Sequence, residues 1–327
     1  SFGPEQRAAR RAAYAEAREL RKEADRLEGF LAERAVEASE VVCCTLVGAA
    51  DRMLRGRRFG TVVLDEAGQS LEPAAWIPIR SAERVVLAGD AAQLPPTVKN
   101  PAAIKAGLAV SLLEKAIERD RNVHLLDTQY RMHADIMAYP NQVFYGGQLL
   151  AADAVAQETL GNLPPLTFID TAGRGWDEER ANPQADTTGR SHASVSNPEE
   201  AAFAVDRVRE LMASHPQATL GVIAPYRAQV TLLEDLLCAE RAASEGRLTI
   251  QTVDGFQGQE RDIMVIGLTR SNEEGMVGFL SEHRRMNVAM TRAKMHLLVI
   301  GDSATLGNDS FYADFTQHCE STGAYRS

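Results

Sequence analysis

The chain has 327 residues, 45% of them hydrophobic and 24% charged, and carries a formal net charge of −10. That balance excludes a generally basic nucleic-acid coat protein and suits a cytoplasmic α/β protein of about two domains, with ample chain to bury a core. It leaves room for a local basic groove, because binding depends on where Lys and Arg sit and not on their sum.

Cys43, Cys44, Cys238 and Cys319 include no Cys-x-x-Cys pair and read as reduced core thiols, with neither a zinc site nor a disulfide framework. No signal peptide is visible, and the longest near-apolar run, Val41 to Ala50, is too short to span a bilayer. The chain opens on Ser1, not Met, which leads us to expect an N-terminally truncated fragment.

Residues 5 to 38, rich in Ala, Arg and Glu, place Leu20, Ala24, Leu27, Leu31 and Ala35 on one narrow stripe, which predicts a helical stalk over residues 1–40. Basic and acidic residues balance along it, so a solvated stalk is the plainer reading and a dedicated binding helix the other. Val41 to Gly48 is predicted to be a buried strand running into a small-residue turn. There Thr45 and Gly48 offer a hydroxyl and a bare backbone amide to a phosphate, though an ordinary strand end also accounts for them.

Residues 61–69 and 84–96 each form a short apolar run ending on small or acidic residues: Thr61 to Leu64 before Asp65-Glu66, then Arg84 to Ala88 before Gly89-Asp90 and Gln93-Leu94-Pro95-Pro96. Each predicts a buried parallel strand delivering polar groups to its C-terminal edge, where open α/β sheets bind ligands. Two adjacent carboxylates there suit a nucleotide site, since an Asp can hold Mg²⁺ through its water shell while a Glu polarises an attacking water. The alternative is that Asp65 and Glu66 cap the following helix.

A helix over residues 103–119 is expected to close the first domain, with the boundary near residues 120 to 122. Asn122 to Leu126 then predicts a strand leading into Gln129-Tyr130-Arg131-Met132-His133. His133 has no metal-ligand partner at helical spacing and reads as a local structural residue. Thr167 to Asp170 reads as a strand and residues 173–196 as a polar loop without chemistry, mobile or disordered. Asn197-Pro198-Glu199-Glu200 reads as a helix start running to about Ala213. Strand Thr219 to Ala224 ends at Tyr226-Arg227, and the helix after it directs Leu232, Leu233, Leu236 and Leu237 to the core. Strand Leu248 to Val253, carrying Thr252, precedes Gly255, Gly258 and Glu260. Strand Asp262 to Leu268, the arginine-rich stretch Arg284 to Lys294 and strand Leu297 to Ile300 follow.

Asp65-Glu66-Ala67-Gly68-Gln69, Gly89-Asp90 to Pro96, Gln129 to His133, Asp254 to Glu260 and Arg284 to Lys294, taken together, resemble a superfamily 1B helicase. The group is that of the nonsense-mediated-decay and immunoglobulin-mu-binding helicases. The resemblance covers essentially everything after residue 40, and the tail through Tyr325 is similar to bacterial members of the mu-binding type.

The resemblance implies two RecA-like α/β domains of the P-loop NTPase type with parallel sheets. Residues 41–121 would be the C-terminal part of an incomplete first domain and residues 122–327 the second. It implies ATP and Mg²⁺ as cofactors, single-stranded or duplex nucleic acid as partner, a monomer, no membrane, and five-to-three-prime polarity. Asp65 would bind the Mg²⁺ shell, Glu66 activate water, and Gln93 couple the γ-phosphate to nucleic acid. Tyr130 would stack on adenine beside Gly258, Glu260 accept from the ribose hydroxyls, and Arg131 and Arg292 serve as arginine fingers. Thr45, Gly48, Pro95, Tyr226, Arg227 and Thr252 would line a track for a single strand. One departure is plain: the chain contains no Gly-x-x-x-x-Gly-Lys-Ser/Thr, so alone it is expected to hold ATP poorly. Two rival classes are a non-catalytic nucleic-acid or protein platform and a metal-dependent nuclease built on Asp65, Glu66 and Asp90.

Overall fold

A computed structural model describes residues 3–119, 122–180 and 194–327. The chain divides into two compact units, residues 1–89 with 96–115 and residues 90–95 with 116–327.

In the first unit, helix α1 (Pro4–Ala38) has Pro in its first turn and ends where Ser39 turns extended. Leu20, Leu27 and Leu31 are exposed along it. Val41 to Gly48 departs from expectation: it forms no ladder, Val41 and Val47 are exposed, and a 3₁₀ turn follows at Gly48–Ala50. A strand must give its N–H and C=O groups to a neighbour; the ladder described in this unit joins β1 (Phe59–Leu64) to β2 (Ala82–Leu87) in parallel, and 41–48 adds to neither outer edge. Cys43 and Cys44 are therefore exposed, as is Cys238 in the second unit, and Cys319 is the buried thiol; the expectation of four core thiols fails for three.

Helix α2 (Glu72–Ile79) joins β1 to β2, and Leu64, Ala67, Ala75 and Leu113 make a small core. Val63, Val85 and Val86 remain exposed. The helix expected over 103–119 is broken into α3 (Pro101–Lys105) and α4 (Leu112–Glu118). Asn100 caps the first through its side chain, and Gly107 ends it at φ 87, a left-handed conformation that glycine adopts without Cβ strain. Ser111 and Glu114 exchange hydrogen bonds at the start of the second, a capping box.

In the second unit no regular strand forms at 122–126, and residues 120 and 121, where the domain boundary was expected, lie outside the described residues. A short parallel pair, β3 (Thr128–Gln129) with β4 (Leu150–Ala151), flanks α5 (Ala134–Phe144) and precedes α6 (Asp153–Ala156). The main sheet begins with β5 (Leu166–Asp170). Across the expected polar loop, β6 (Glu179–Arg180) pairs antiparallel with β7 (Val195–Ser196), while 181–193 lie outside the described residues. Helix α7 (Pro198–Ser214) starts where Asn197 accepts the Glu200 N–H. Then come β8 (Leu220–Ala224), α8 (Arg227–Leu236), α9 (Cys238–Ala243), β9 (Leu248–Thr252), α10 (Val253–Phe256) and β10 (Arg261–Gly267). The chain finishes with α11 (His283–Met290), β11 (Ala293–Gly301), α12 (Ser303–Leu306), α13 (Ser310–Ser321) and β12 (Tyr325–Arg326).

The six-stranded sheet is parallel throughout, in the order β12-β5-β11-β10-β8-β9. Period-two alternation sorts its side chains: Met264, Ile266, Leu297 and Val299 enter a core with α5, α11 and α13, whereas Ile263, Val265, Leu298 and Ile300 enter one with α7 and α8. Both faces being covered explains why these strands read as continuous apolar runs. This is the α/β parallel-sheet class that the sequence predicts. Along the leucine-rich segment, Leu233 and Leu237 are buried but Leu236 is exposed, so not every leucine there faces the core.

Candidate functional site

In the first unit, backbone bonds from Ala88 N–H to Leu64 O and from Ala67 N–H to Ala88 O carry the β1–β2 pairing just past the strand ends. Gly89 is required there, since a Cβ would lie 2.9 Å from Ala67 N and 3.0 Å from Gly68 N. Asp65 and Glu66 emerge from this edge, both exposed. Glu66 sits at φ 51, ψ 39, a left-handed conformation uncommon outside glycine. Asp65 Oδ1 accepts the Glu66 N–H at 3.0 Å, and Glu66 Oε2 accepts from Gln69 Nε2 at 2.6 Å. Neither carboxylate caps a helix, which removes the capping alternative. Thr45 Oγ1 accepts the Gly48 N–H at 3.0 Å, so its lone pair closes the turn.

The second unit builds its turn at 129–133 around Gln129, whose Oε1 accepts from the N–H of Arg131 and Met132 while its Nε2 donates to Met132 O. His133 is buried, caps α5 by accepting the Asp135 N–H, and donates its own N–H to Lys294 O, the structural part expected of it. The turn so held projects the ring of Tyr130, 74% exposed. Arg131 Nε donates to Glu260 Oε2 at 2.6 Å and its Nη1 to Thr291 O at 3.2 Å, while Lys294 Nζ holds Glu260 Oε1 at 2.9 Å. Burial opposes the Glu260 charge, but Lys294 and Arg131 outweigh it and keep the carboxyl below its ordinary range. Gly258 lies two residues before it at φ 77.

Of the other predicted site residues, Arg292 and Tyr226 are buried where exposed groups were expected. Arg292 follows the end of α11, is 3% exposed, and donates to Val288 O and Thr291 Oγ1, so its guanidinium is turned inward. Tyr226, expected on a stacking track, is 4% exposed, and its hydroxyl accepts from Arg270 Nη1 and the Phe279 N–H. Its ring packs on Phe279 and is not offered to a base. Arg227 is exposed beside Glu234, and Thr252 caps α10 by accepting the Gly255 N–H. Pro95 is half-buried. Gln93 Nε2 donates to Asp90 Oδ2 at 2.9 Å.

Sequence reasoning missed Lys294, Gln129, Tyr145, Asn287 and the buried Glu178–Arg270 pair. In that pair Glu178, from the stretch predicted to be a polar loop, mobile or disordered and without chemistry, accepts from Arg270 Nε at 2.6 Å and Nη2 at 2.9 Å. The arginine-rich motif signals Lys294 and Asn287 and the Gln129-to-His133 motif signals Gln129, but no local pattern marks Tyr145, Glu178 or Arg270. Among the described residues no cluster of three or more His, Cys, Asp or Glu side chains could hold a metal. No described helix is long and apolar enough to cross a membrane.

Models of the AAA domain match residues 1–101 and 108–304. The DNA-binding protein SMUBP-2 of Mesocricetus auratus is 38% identical over 330 residues, covering 94% of this chain and 32% of the relative. The DNA polymerase alpha-associated DNA helicase A of Schizosaccharomyces pombe is 37% identical, covering 91% and 45%. A regulator of nonsense transcripts 1 homolog of Neurospora crassa is 36% identical, covering 84% and 25%. The chain thus spans between a quarter and a half of the length of these relatives. It belongs to the AAA-domain family.

Proposed function

We propose that the full-length protein is an ATP-dependent helicase or translocase of the mu-binding type, acting as a monomer on single-stranded or duplex DNA or RNA. The observation that carries the reading is the Asp65–Glu66 pair, exposed at a parallel strand's C-terminal end and spent on no cap. A lone hard carboxylate suits Mg²⁺, which keeps most of its waters and takes its other ligands from substrate phosphates. When bound, the ion would neutralise charge on the phosphates of ATP. Asp65 would hold its water shell and Glu66 would accept a proton from the attacking water. Tyr130 would offer its exposed ring to adenine and Glu260 an oxygen to ribose once Arg131 exchanges it for phosphate. Gln93 would sense the terminal phosphate, and Arg131 and Arg292 would donate to it. Thr45, Gly48, Pro95, Arg227 and Thr252 would follow the nucleic-acid backbone, with Tyr226 supporting them from within.

Because this stretch has no phosphate-cradling Gly-x-x-x-x-Gly-Lys-Ser/Thr, the isolated chain is expected to turn over ATP negligibly. The deciding assay is ATP hydrolysis by the full-length protein with and without single-stranded DNA or RNA. Stimulated turnover is expected. Strand binding without hydrolysis would favour the non-catalytic platform, and strand cleavage in Mg²⁺ without ATP would favour the nuclease.

A further inference from the structure

The stretch Asp90 to Pro95 belongs to the second compact unit, although its chain neighbours on both sides belong to the first. A sequence of hydrogen bonds that begins on α11 holds it there. Asn287 is fully buried, and its side-chain nitrogen donates to Ala92 O at 2.9 Å and to Tyr145 Oη at 3.0 Å. Tyr145, just past the end of α5, donates in turn to Asp90 Oδ2 at 2.6 Å. That same oxygen accepts from Gln93 Nε2 at 2.9 Å, while Asp90 Oδ1 takes the Ala92 N–H at 2.8 Å. Burial, followed by the Asp90 charge, raises the Tyr145 phenol far above its ordinary range, so the hydroxyl keeps its proton and stays a donor.

Two features mark this as more than packing. Asn287 Oδ1 is buried without a hydrogen-bond partner among the described residues, a situation that costs about 1–3 kcal/mol. An apolar side chain would avoid that cost but would lose both hydrogen bonds that the nitrogen donates. Gln93, for its part, is gripped by its nitrogen, and an amide held at one end has its carbonyl oxygen aimed.

We propose that Tyr145 and Asn287 are positioning residues for Gln93: through Asp90 they pre-set the 90–95 turn so that the Gln93 carbonyl can accept from the attacking water while its second N–H can donate to the nucleotide's terminal phosphate. The proposal rests on the reading of Gln93 given above. Its physical content is preorganisation, since a side chain displaced by about 1 Å can cost on the order of 10²-fold in rate.

The test is a double-mutant cycle in the full-length protein, read as nucleic-acid-stimulated ATP hydrolysis. Tyr145→Phe keeps the ring and removes the hydroxyl; it is expected to lower stimulated kcat roughly 10-fold or more with KM for ATP within about twofold. In a Gln93→Ala background the same change is expected to cost little further, because the two residues act as one device. Undiminished stimulation in Tyr145→Phe, or a loss that adds in full to that of Gln93→Ala, would overturn the proposal. Should Tyr145→Phe melt below assay temperature, Asn287→Ser completes the same cycle with the same two outcomes. Absence of stimulated hydrolysis in the unmodified protein would instead refute the functional reading itself.

Discussion

At the end of β1, Asp65 and Glu66 stand in solvent with one local hydrogen bond each, whereas the second unit pins its charges at the strand ends. There Glu260 is held by two cations, Arg292 is turned inward, and Arg270 is clamped by Glu178. The sheets differ in the same sense: two strands with exposed valines in one unit, six strands covered on both faces in the other. An exposed acid can take a ligand without breaking anything in the protein. A pinned guanidinium must exchange one partner for another. Substitutions should therefore separate function from stability in the first unit and couple them in the second.

The largest effect is expected at the arginines. Arg131→Ala or Arg292→Ala should slow ATP hydrolysis by the full-length protein on the order of 10³-fold or more, and Lys should rescue little because an ammonium cannot reproduce the guanidinium fork. Arg292→Ala should also lower the melting temperature, being the more deeply buried of the two; a normal hydrolysis rate in that variant would remove Arg292 from the site. Glu66→Gln should cost about 10² to 10⁴ in rate with an unchanged thermal melt. A matching loss of stability would erase the contrast between the units.

Next come the ion pairs. Glu178→Ala strands a buried guanidinium and should destabilise by about 3–5 kcal/mol, whereas Lys115→Ala, at a half-exposed pair with Glu72 in the first unit, should cost about 0–1 kcal/mol. Urea unfolding of both variants measures the gap, and equal losses would refute it.

Proton linkage gives a smaller, graded effect. Burial lifts the Glu200 carboxyl to about 8, with Asp302 adding to the rise. A carboxyl raised in the folded state binds a proton that the unfolded chain has released. Stability should accordingly fall by roughly 1.4 kcal/mol per pH unit between the ordinary carboxyl range and about pH 8. Glu200→Gln should flatten that slope, and an unchanged slope would show that Glu200 stays ionised. Smallest of all, Tyr130→Ala should alter stability by less than about 0.5 kcal/mol while raising KM for ATP. Failure of KM to rise would take its ring out of nucleotide binding.

Sequence alone makes the α/β class legible, because strands covered on both faces must be apolar throughout, and it shows acids following β1, because the apolar run ends at Asp65 and Glu66. It located the start of α7 through Asn197, since capping is settled within four residues. The folded chain was needed to show that Val41 to Gly48 finds no partner strand, that Tyr226 points inward, and that Asp90 to Pro95 belongs with the second unit. It alone joined Glu178 to Arg270 across 92 residues and Tyr145 to Asp90 across 55. Helix periodicity and caps act over a few neighbours and leave a local trace. Strand pairing and buried hydrogen bonds join residues far apart in the chain, and no window of sequence contains both halves of them.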